Sequence, residues 1–287
     1  MANKNIAGVV VLYNPQPEVY KHIKSYINEV DRLFVIDNSR IVNEEVIFKI
    51  KTFSNITYLP QNENTGIAYA LNLATRLAIE EGYEYILTMD QDSEAPPFIV
   101  SNLLECFSRD PAIAIVTPFH HTPYRKESNN TDGKCHRILT TMTSGNLVKL
   151  EILKKVGWFE EKLFIDCVDH EFCLRLNKAG YKVYICPKVI LKHQLGNINE
   201  KPFFYKKVFP TNHDPLRHYY QTRNRFFIYK KFKHLYPYFV KMDKKDFRRG
   251  FIKVILYERK KISKIKFTTL GYIHFKKNIF GKFRKKN

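Results

Sequence analysis

Asp90-Gln91-Asp92 places two carboxylates at i and i+2 directly after the apolar run Tyr85-Ile86-Leu87-Thr88-Met89. Such a pair can hold a hard divalent cation, Mn²⁺ or Mg²⁺. A cation there neutralises a diphosphate and stabilises it as it leaves. The same spacing also suits a solvated turn. Asp37 ends a second apolar run, Leu33-Phe34-Val35-Ile36. A carboxylate in that position accepts hydrogen bonds from a ribose hydroxyl or a base N–H, or serves a turn. Asp166-x-x-Asp169-x-Glu171 opens a helical stretch. Acidic residues in a first helical turn suit the helix dipole, and an ionised carboxylate held within reach can take a proton from an attacking hydroxyl. His193 closes a short strand and is either a metal ligand or a structural residue. The chain contains no nucleophile elbow, P-loop or G-x-G-x-x-G, so hydrolase-triad, NTPase and dinucleotide readings lose support.

The elements that must position these residues alternate. Ile6–Leu12 is a continuous apolar run of the kind buried on both faces of a sheet. A helix over 17–29 follows, then strands at Leu33–Ile36 and Ile56–Leu59, with a helix over 43–53 between them. Thr65–Glu81 reads as a helix with Ala68, Leu71, Ala74, Leu77 and Ala78 on one face. Tyr85–Met89, a helix from Pro96 to about Phe107, and Ile113–Val116 complete the first half. This order implies an α/β fold with a mostly parallel central sheet flanked by helices. In such sheets ligands sit beyond the carboxyl ends of the strands. Tyr13-Asn14, Asp37-Asn38 and Asp90-Gln91-Asp92 should therefore line one rim. Residues 120–137 form a long polar connection. Beyond it come a short strand at Leu147-Val148, helices near 151–156 and 166–179, and strands at Tyr181–Ile185 and Val189–Lys192.

Charge divides the chain. Residues 1–195 hold 22 Lys+Arg against 23 Asp+Glu, whereas residues 196–287 hold 26 against 5. The excess of the +20 net charge thus sits in the last third, which points to a polyanionic partner surface. From Ile262 to Phe280 apolar residues recur at roughly helical spacing among lysines, a pattern suited to a membrane surface. No apolar run approaches the roughly 20 residues of a spanning helix, and the first apolar stretch is too short for a secretion signal. The five cysteines form no C-x-x-C pair and read as buried or idle thiols. A nucleic-acid-binding protein is the non-enzymatic alternative, since single-strand binders also mix basic and aromatic residues. The rim carboxylates oppose it, and no nucleic-acid partner is expected.

The motifs also occur in a familiar order. Val9-Val10-Val11-Leu12-Tyr13-Asn14, Val35-Ile36-Asp37-Asn38-Ser39, Asn62-Glu63-Asn64-Thr65-Gly66-Ile67-Ala68 and Met89-Asp90-Gln91-Asp92-Ser93 resemble glycosyltransferase family 2, inverting nucleotide-sugar transferases with the GT-A fold. Thr143-Ser144-Gly145-Asn146-Leu147, the stretch Phe164 to Arg175, and His193-Gln194-Leu195-Gly196 resemble its bacterial rhamnosyltransferase branch. The resemblance spans about residues 5–230. It implies a catalytic domain over 1–200, with a nucleotide-sugar half to about 118 and an acceptor half over 119–200. A basic helical C-terminal extension over 201–287 would follow.

The resemblance also assigns roles. Tyr13, Asn14, Asp37, Asn64, Gly66 and Asp90 would contact the donor. Asp90, Asp92 and His193 would hold the cation. Asp169 would be the base, with Ser144, Gly145, Asp166, Glu171 and Arg175 around the acceptor side. Arg223, within Tyr219-Tyr220-x-x-Arg223-Asn224, could clamp the diphosphate, because a guanidinium fork suits phosphate oxygens. The implied reaction is a single in-line displacement. The implied donor is dTDP-L-rhamnose, with UDP-hexose or UDP-galactofuranose as alternatives. The implied acceptor is a glycan or a polyprenyl-diphosphate-linked saccharide. The expected location is cytoplasmic, attached peripherally to the inner face of the cell membrane. The basic aromatic tail could also pack against a second subunit.

Overall fold

The computed structural model describes residues 5–121, 133–193, 201–203, 206–208, 210 and 212–284. The chain divides into two compact units. One comprises residues 1–161 and 168–194, the other 162–167 and 195–287.

In the first unit β1 (Ile6–Leu12), α1 (Val19–Lys24), β2 (Arg32–Asp37), α2 (Glu44–Ile50), β3 (Ile56–Pro60), α3 (Ile67–Glu80) and β4 (Tyr85–Asp90) follow one another. Next come β5 (Ser93–Glu94), α4 (Ile99–Phe107), β6 (Ile113–His121), β7 (His136–Ile138), β8 (Asn146–Lys149), α5 (Leu150–Val156), α6 (Val168–Lys178) and β9 (Lys182–His193). The sheet runs β3-β2-β1-β4-β8-β6-β9-β5, with β7 also on β9. β3, β2, β1 and β4 are parallel, as are β6 and β9. The short strands β5, β7 and β8 are antiparallel to their neighbours.

The apolar runs explain the order. Six of the seven residues of β1 are buried, and each fully buried Val or Ile stabilises the fold by about 1.5–3 kcal/mol. Gly8 brings β1 close to β2: a Cβ there would lie 2.9 Å from Leu33 Cδ1, and that side chain would have to shift. Helix starts find side-chain acceptors, near or far in sequence. Asn43 Oδ1 accepts from Val46 N (3.3 Å) at α2. The Glu29 carboxylate accepts from Ile99 N (3.2 Å) and Val100 N (3.0 Å), two unpaired donors at the start of α4.

Several elements depart from the sequence reading. The helix expected over 17–29 is α1 followed by a separate 3₁₀ turn at Ile27–Glu29. The two strands expected at 181–185 and 189–192 are the single strand β9. A register shift lies between its pairs Pro118↔Cys186 and Phe119↔Ile190. The cysteines are not all idle thiols: Cys106 and Cys135 form a disulfide across 29 residues of sequence. Cys167, Cys173 and Cys186 are buried thiols outside that bond. Part of the 120–137 connection, residues 122–132, lies outside the described residues.

The second unit contains the hairpin β10 (Lys201–Phe203) and β11 (Lys206–Val208), then α7 (Pro215–Phe232), α8 (Pro237–Tyr257) and α9 (Lys261–Lys276). Asp214 caps α7 by accepting from Leu216 N (2.9 Å), with Pro215 in the first turn. The amphipathic stretch expected over 262–280 does not lie wholly open. Phe267 and Leu270 pack onto Tyr219 and Tyr220, and His274 Nδ1 meets Tyr219 Oη (2.7 Å). Ile262 is 85% exposed. Gly271 permits the close approach of α9 to α7, because a Cβ there would lie 2.4 Å from the Tyr219 carbonyl oxygen. Backbone cannot yield as a flexible side chain can. Gly271→Val should therefore destabilise the chain by at least the roughly 1–3 kcal/mol of ordinary overpacking. Loss of cooperative thermal unfolding, or a clear drop in Tm, measures it; a wild-type melting curve would show that the helices can part at no cost. Among the described residues no helix is long and apolar enough to cross a membrane.

Candidate active site

The carboxyl ends of β1, β2 and β4 carry the polar clusters, because parallel register aligns them: Leu12 pairs with Asp37, and Val11 with Asp90. Asp37 is wholly buried. Its Oδ1 accepts from Ser39 N (2.9 Å) and its Oδ2 from the Tyr58 hydroxyl (2.8 Å). Burial, with that hydrogen bond second, pushes the Tyr58 hydroxyl well above its ordinary pKa, so Tyr58 remains a donor to Asp37. Ser39 Oγ accepts from Asn14 N (2.8 Å). Asn38 reaches the third loop: its Nδ2 donates to the Gly66 carbonyl (3.2 Å), and its Oδ1 accepts from Thr65 Oγ1 (2.8 Å). Asn64 Oδ1 then accepts from Gly66 N (3.0 Å). Gly66 has φ +89° at the N-cap of α3, a conformation that favours glycine. Tyr13 and Asn14 at the end of β1, Asp37, Asn64 and Gly66 thus belong to one hydrogen-bonded rim.

Gln91 links this rim to the acidic pair. Its Oε1 accepts from Tyr13 N (2.8 Å) and its Nε2 donates to the Tyr13 carbonyl (3.2 Å). The Gln91 carbonyl also meets His22 Nδ1 (2.8 Å). Asp92 is exposed and Asp90 half-buried. The β5–β9 ladder registers Ser93 against His193, bringing the His193 backbone beside the acidic turn; its side chain lies outside the described residues. Two carboxylates separated by one residue, with an imidazole-bearing residue registered alongside, are a donor set that fits a hard divalent cation.

Asp169 sits in the first turn of α6. Its Oδ1 accepts from His170 N (2.7 Å). A narrow cleft bounded by Thr88, Thr143, Asn146, Phe159, Asp169 and Phe172 joins it to the 143–146 segment. That segment meets the acidic turn from the other side. Ser144 Oγ accepts from Asp90 N (3.1 Å) and donates to Ser93 Oγ (2.8 Å), and His120 Nε2 meets the Ser144 carbonyl (2.7 Å). Gly145 has φ +78°, and a Cβ there would press on Pro118 Cγ at 2.6 Å and Leu191 Cδ2 at 2.9 Å.

Glu171 and Arg175 hold α6 in place. Glu171 is wholly buried. Arg175 Nε lies 3.0 and 3.2 Å from its two oxygens, and Arg175 Nη2 is 3.0 Å from Oε2. The same guanidinium donates to the carbonyls of Val156 (2.7 Å), Gly157 (2.8 Å) and Trp158 (2.6 Å). The helix bearing Asp169 is therefore tied to the end of α5 and the loop after it at three carbonyl oxygens.

Asp166 and Arg223 belong to the second unit. Asp166 has φ +63°, and its Oδ1 pairs with Arg217 (3.3 Å). Arg223 is wholly buried. Its guanidinium donates to the carbonyls of Gly281 (2.7 Å), Leu163 (2.9 Å) and Lys162 (3.3 Å), with the rings of Tyr219, Tyr220 and Phe280 5.1–5.3 Å away. Those contacts make Arg223 a buried strut; a diphosphate clamp needs donors that are not already on carbonyls. The sequence places Asn38 and Gln91 on the rim and Ser39 in a motif, but gives none of them, nor Tyr58, a role of its own. Gln91 carried a signal in its place between two aspartates, whereas Tyr58, two strands away, carried none.

Similarity to known proteins agrees with this geometry. Residues 9–165 match the family described as "Glycosyl transferase family 2". The chain is 30% identical over 252 residues to "dTDP-rhamnosyl transferase RfbF" of Shigella flexneri, covering 80% of this chain and 81% of the relative. Among solved structures it superposes on "Crystal structure of GalNAc-T7 with UDP, GalNAc and Mn2+" with TM-score 0.56 and 15% identity, over 66% of this chain and 43% of the other. It superposes on "Mannosyltransferase PcManGT from Pyrobaculum calidifontis in complex with GDP-Man and Mn2+" with TM-score 0.55 and 17% identity, over 76% and 61%. The chain thus spans less than two thirds of either solved chain. At these identities the structures speak for the fold alone, which is GT-A. A family match over more than half of the chain, and one relative across four fifths of it, agree with a sheet that collects aspartates at its strand ends: this chain belongs to glycosyl transferase family 2.

Proposed function

We propose that the enzyme transfers a rhamnosyl group from dTDP-L-rhamnose, with inversion, to a glycan or a polyprenyl-diphosphate-linked saccharide of a bacterial surface polysaccharide. The observation that carries the reading is the convergence of the 143–146 segment on both Asp90 and Asp169. It sets a candidate base and the acidic turn on two sides of one segment. The donor identity is supported by the likeness to a dTDP-rhamnosyl transferase.

Each residue then has a task. The Tyr13–Asn14 turn, Asp37 and the Asn64–Gly66 loop receive the nucleoside, with Tyr58 and Ser39 fixing the Asp37 oxygens. Asp90, Asp92 and His193 would hold Mn²⁺ or Mg²⁺. When bound, that cation supplies positive charge to a departing diphosphate. Asp169 takes the proton of the acceptor hydroxyl as that oxygen attacks the anomeric carbon. The nucleoside diphosphate is already a weak base, so no acid residue is required. Attack opposite the leaving group inverts the configuration in one step, whereas retaining glycosidases pass through a second displacement.

Ligands that bind only the native state raise the melting temperature by mass action. In a thermal-shift panel with and without Mn²⁺, dTDP and dTDP-rhamnose should give a cation-dependent rise larger than UDP or GDP compounds give. A UDP preference would retain the transferase and replace rhamnose. The absence of a shift with every nucleotide, in folded protein, would overturn the donor reading.

The basic second unit is proposed to hold the enzyme at an anionic membrane face, where lipid-linked acceptors reside. Along α8 and the start of α9 the exposed residues alternate between cationic and apolar: Arg248, Arg249, Ile252, Ile255, Leu256, Arg259 and Ile262 among them. Each cation near such a surface contributes about 1 kcal/mol. Replacing Arg248, Arg249 and Arg259 with Glu together should weaken binding to phosphatidylglycerol vesicles by at least about 10²-fold. Equal co-sedimentation of variant and wild type would sink the membrane role.

A further inference from the structure

Cys106, Cys135 and Cys186 meet at a point that the transfer reaction does not use. Cys106 lies at the end of α4 and Cys186 in β9; both are buried. Cys135 immediately precedes β7. In the antiparallel β7–β9 register His136 faces Ile185, so the next step of the ladder sets Cys135 opposite Cys186. All three sulfur atoms lie within 4.8 Å of one another. Cys106 and Cys135 are joined, and the Cys186 thiol points to the Asn102 carbonyl at 3.8 Å.

Two chemistries suit three sulfurs at such range: disulfide exchange by the third thiol, or capture of a soft metal ion. Exchange requires a thiolate as attacking group. Cys186 is buried, away from the solvent that would take its proton, which opposes its acting alone. A metal reverses that logic, because a coordinating thiol is deprotonated outright. The spacing also suits a metal. Tetrahedral Zn–S bonds of about 2.3 Å put sulfur atoms about 3.8 Å apart, within the compass already formed.

We propose that, when the Cys106–Cys135 disulfide is reduced, Cys106, Cys135 and Cys186 form a three-thiolate site for Zn²⁺. Two molecules of a small thiol open the disulfide, leaving as one small disulfide while both cysteine sulfurs gain protons. Zn²⁺ then displaces three protons to solvent as it takes three thiolates. The fourth position goes to water. Thiolates prefer Zn²⁺, whereas the Asp90–Asp92 carboxylates prefer Mg²⁺ or Mn²⁺, so the two sites do not compete for one ion. The metal and the disulfide exclude each other, which makes occupancy dependent on the thiol redox state.

Co²⁺ tests this on the full chain, because sulfur ligation gives a near-ultraviolet charge-transfer band that carboxylate ligation does not. Protein reduced with a trialkylphosphine should develop the band with one equivalent of Co²⁺ and lose it to Zn²⁺. Oxidised protein should not develop it. Cys186→Ser should weaken the affinity at least tenfold, and Cys167→Ser should leave the band unchanged. The absence of the band in reduced, folded wild type, or its persistence at full affinity in Cys186→Ser, would overturn the site. A second readout needs no variant. Zn²⁺ should protect Cys106, Cys135 and Cys186 from alkylation together, and protection of any one without the others would also overturn it.

Discussion

Asp169→Asn is expected to lower kcat by about 10²–10⁴-fold, the contribution of a positioned general base, while donor affinity stays within about twofold of wild type. The substitution is close to isosteric. An asparagine Oδ1 can still accept the hydrogen bond from His170 N, so the first turn of α6 keeps its geometry. What disappears is the basic carboxylate facing the cleft with Thr143 and Asn146. Single-turnover transfer with saturating donor, paired with calorimetric titration of dTDP, separates the two quantities. Donor binding lost in a folded variant would remove Asp169 from the role of base and give it to the nucleotide.

Arg175→Ala should have the largest effect on stability. It leaves the Glu171 carboxylate fully buried without its bidentate partner, and it strips donors from three carbonyls at the end of α5 and in the loop after it. Breaking a buried pair by removing one partner costs about 3–5 kcal/mol, about 10 °C in Tm for a unit of this size. The charge, and not the lost packing alone, is the proposed cause. Adding Glu171→Gln to Arg175→Ala should therefore recover part of the loss. A double variant no more stable than the single one would show that packing dominates. Activity should fall with stability, since α6 carries Asp169.

Local chemistry was readable wherever one segment decides its own fate. β1, β2 and β4 are apolar runs buried on both faces, and the rim aspartates end them because parallel register leaves only that place for polar groups. What escaped depends on partners distant in sequence. β5 is two residues long and exists because β9 runs past it. The Cys106–Cys135 bond joins residues whose spacing announces nothing. Arg223 is the instructive case. An arginine after paired tyrosines is equally suited to phosphate oxygens and to backbone carbonyls, and only the folded chain shows the carbonyls of Lys162, Leu163 and Gly281 around it. The second unit was legible as basic and helical, but not the α9–α7 contact, where the deciding residue is one glycine among the eleven in the chain.

The middle residue of Asp90-Gln91-Asp92 adds no carboxylate to the acidic pair. Here its carboxamide acts as a two-way staple, taking the amide proton of Tyr13 and returning one of its own to the Tyr13 carbonyl. Only an amide side chain can do both, for it alone carries an acceptor and a donor on one short fork. A glutamate would turn one oxygen toward the Tyr13 carbonyl in repulsion, and a leucine would leave both backbone groups to water. The staple makes the turn after β1 and the acidic turn a single mechanical piece, so neither can shift register without dragging the other along.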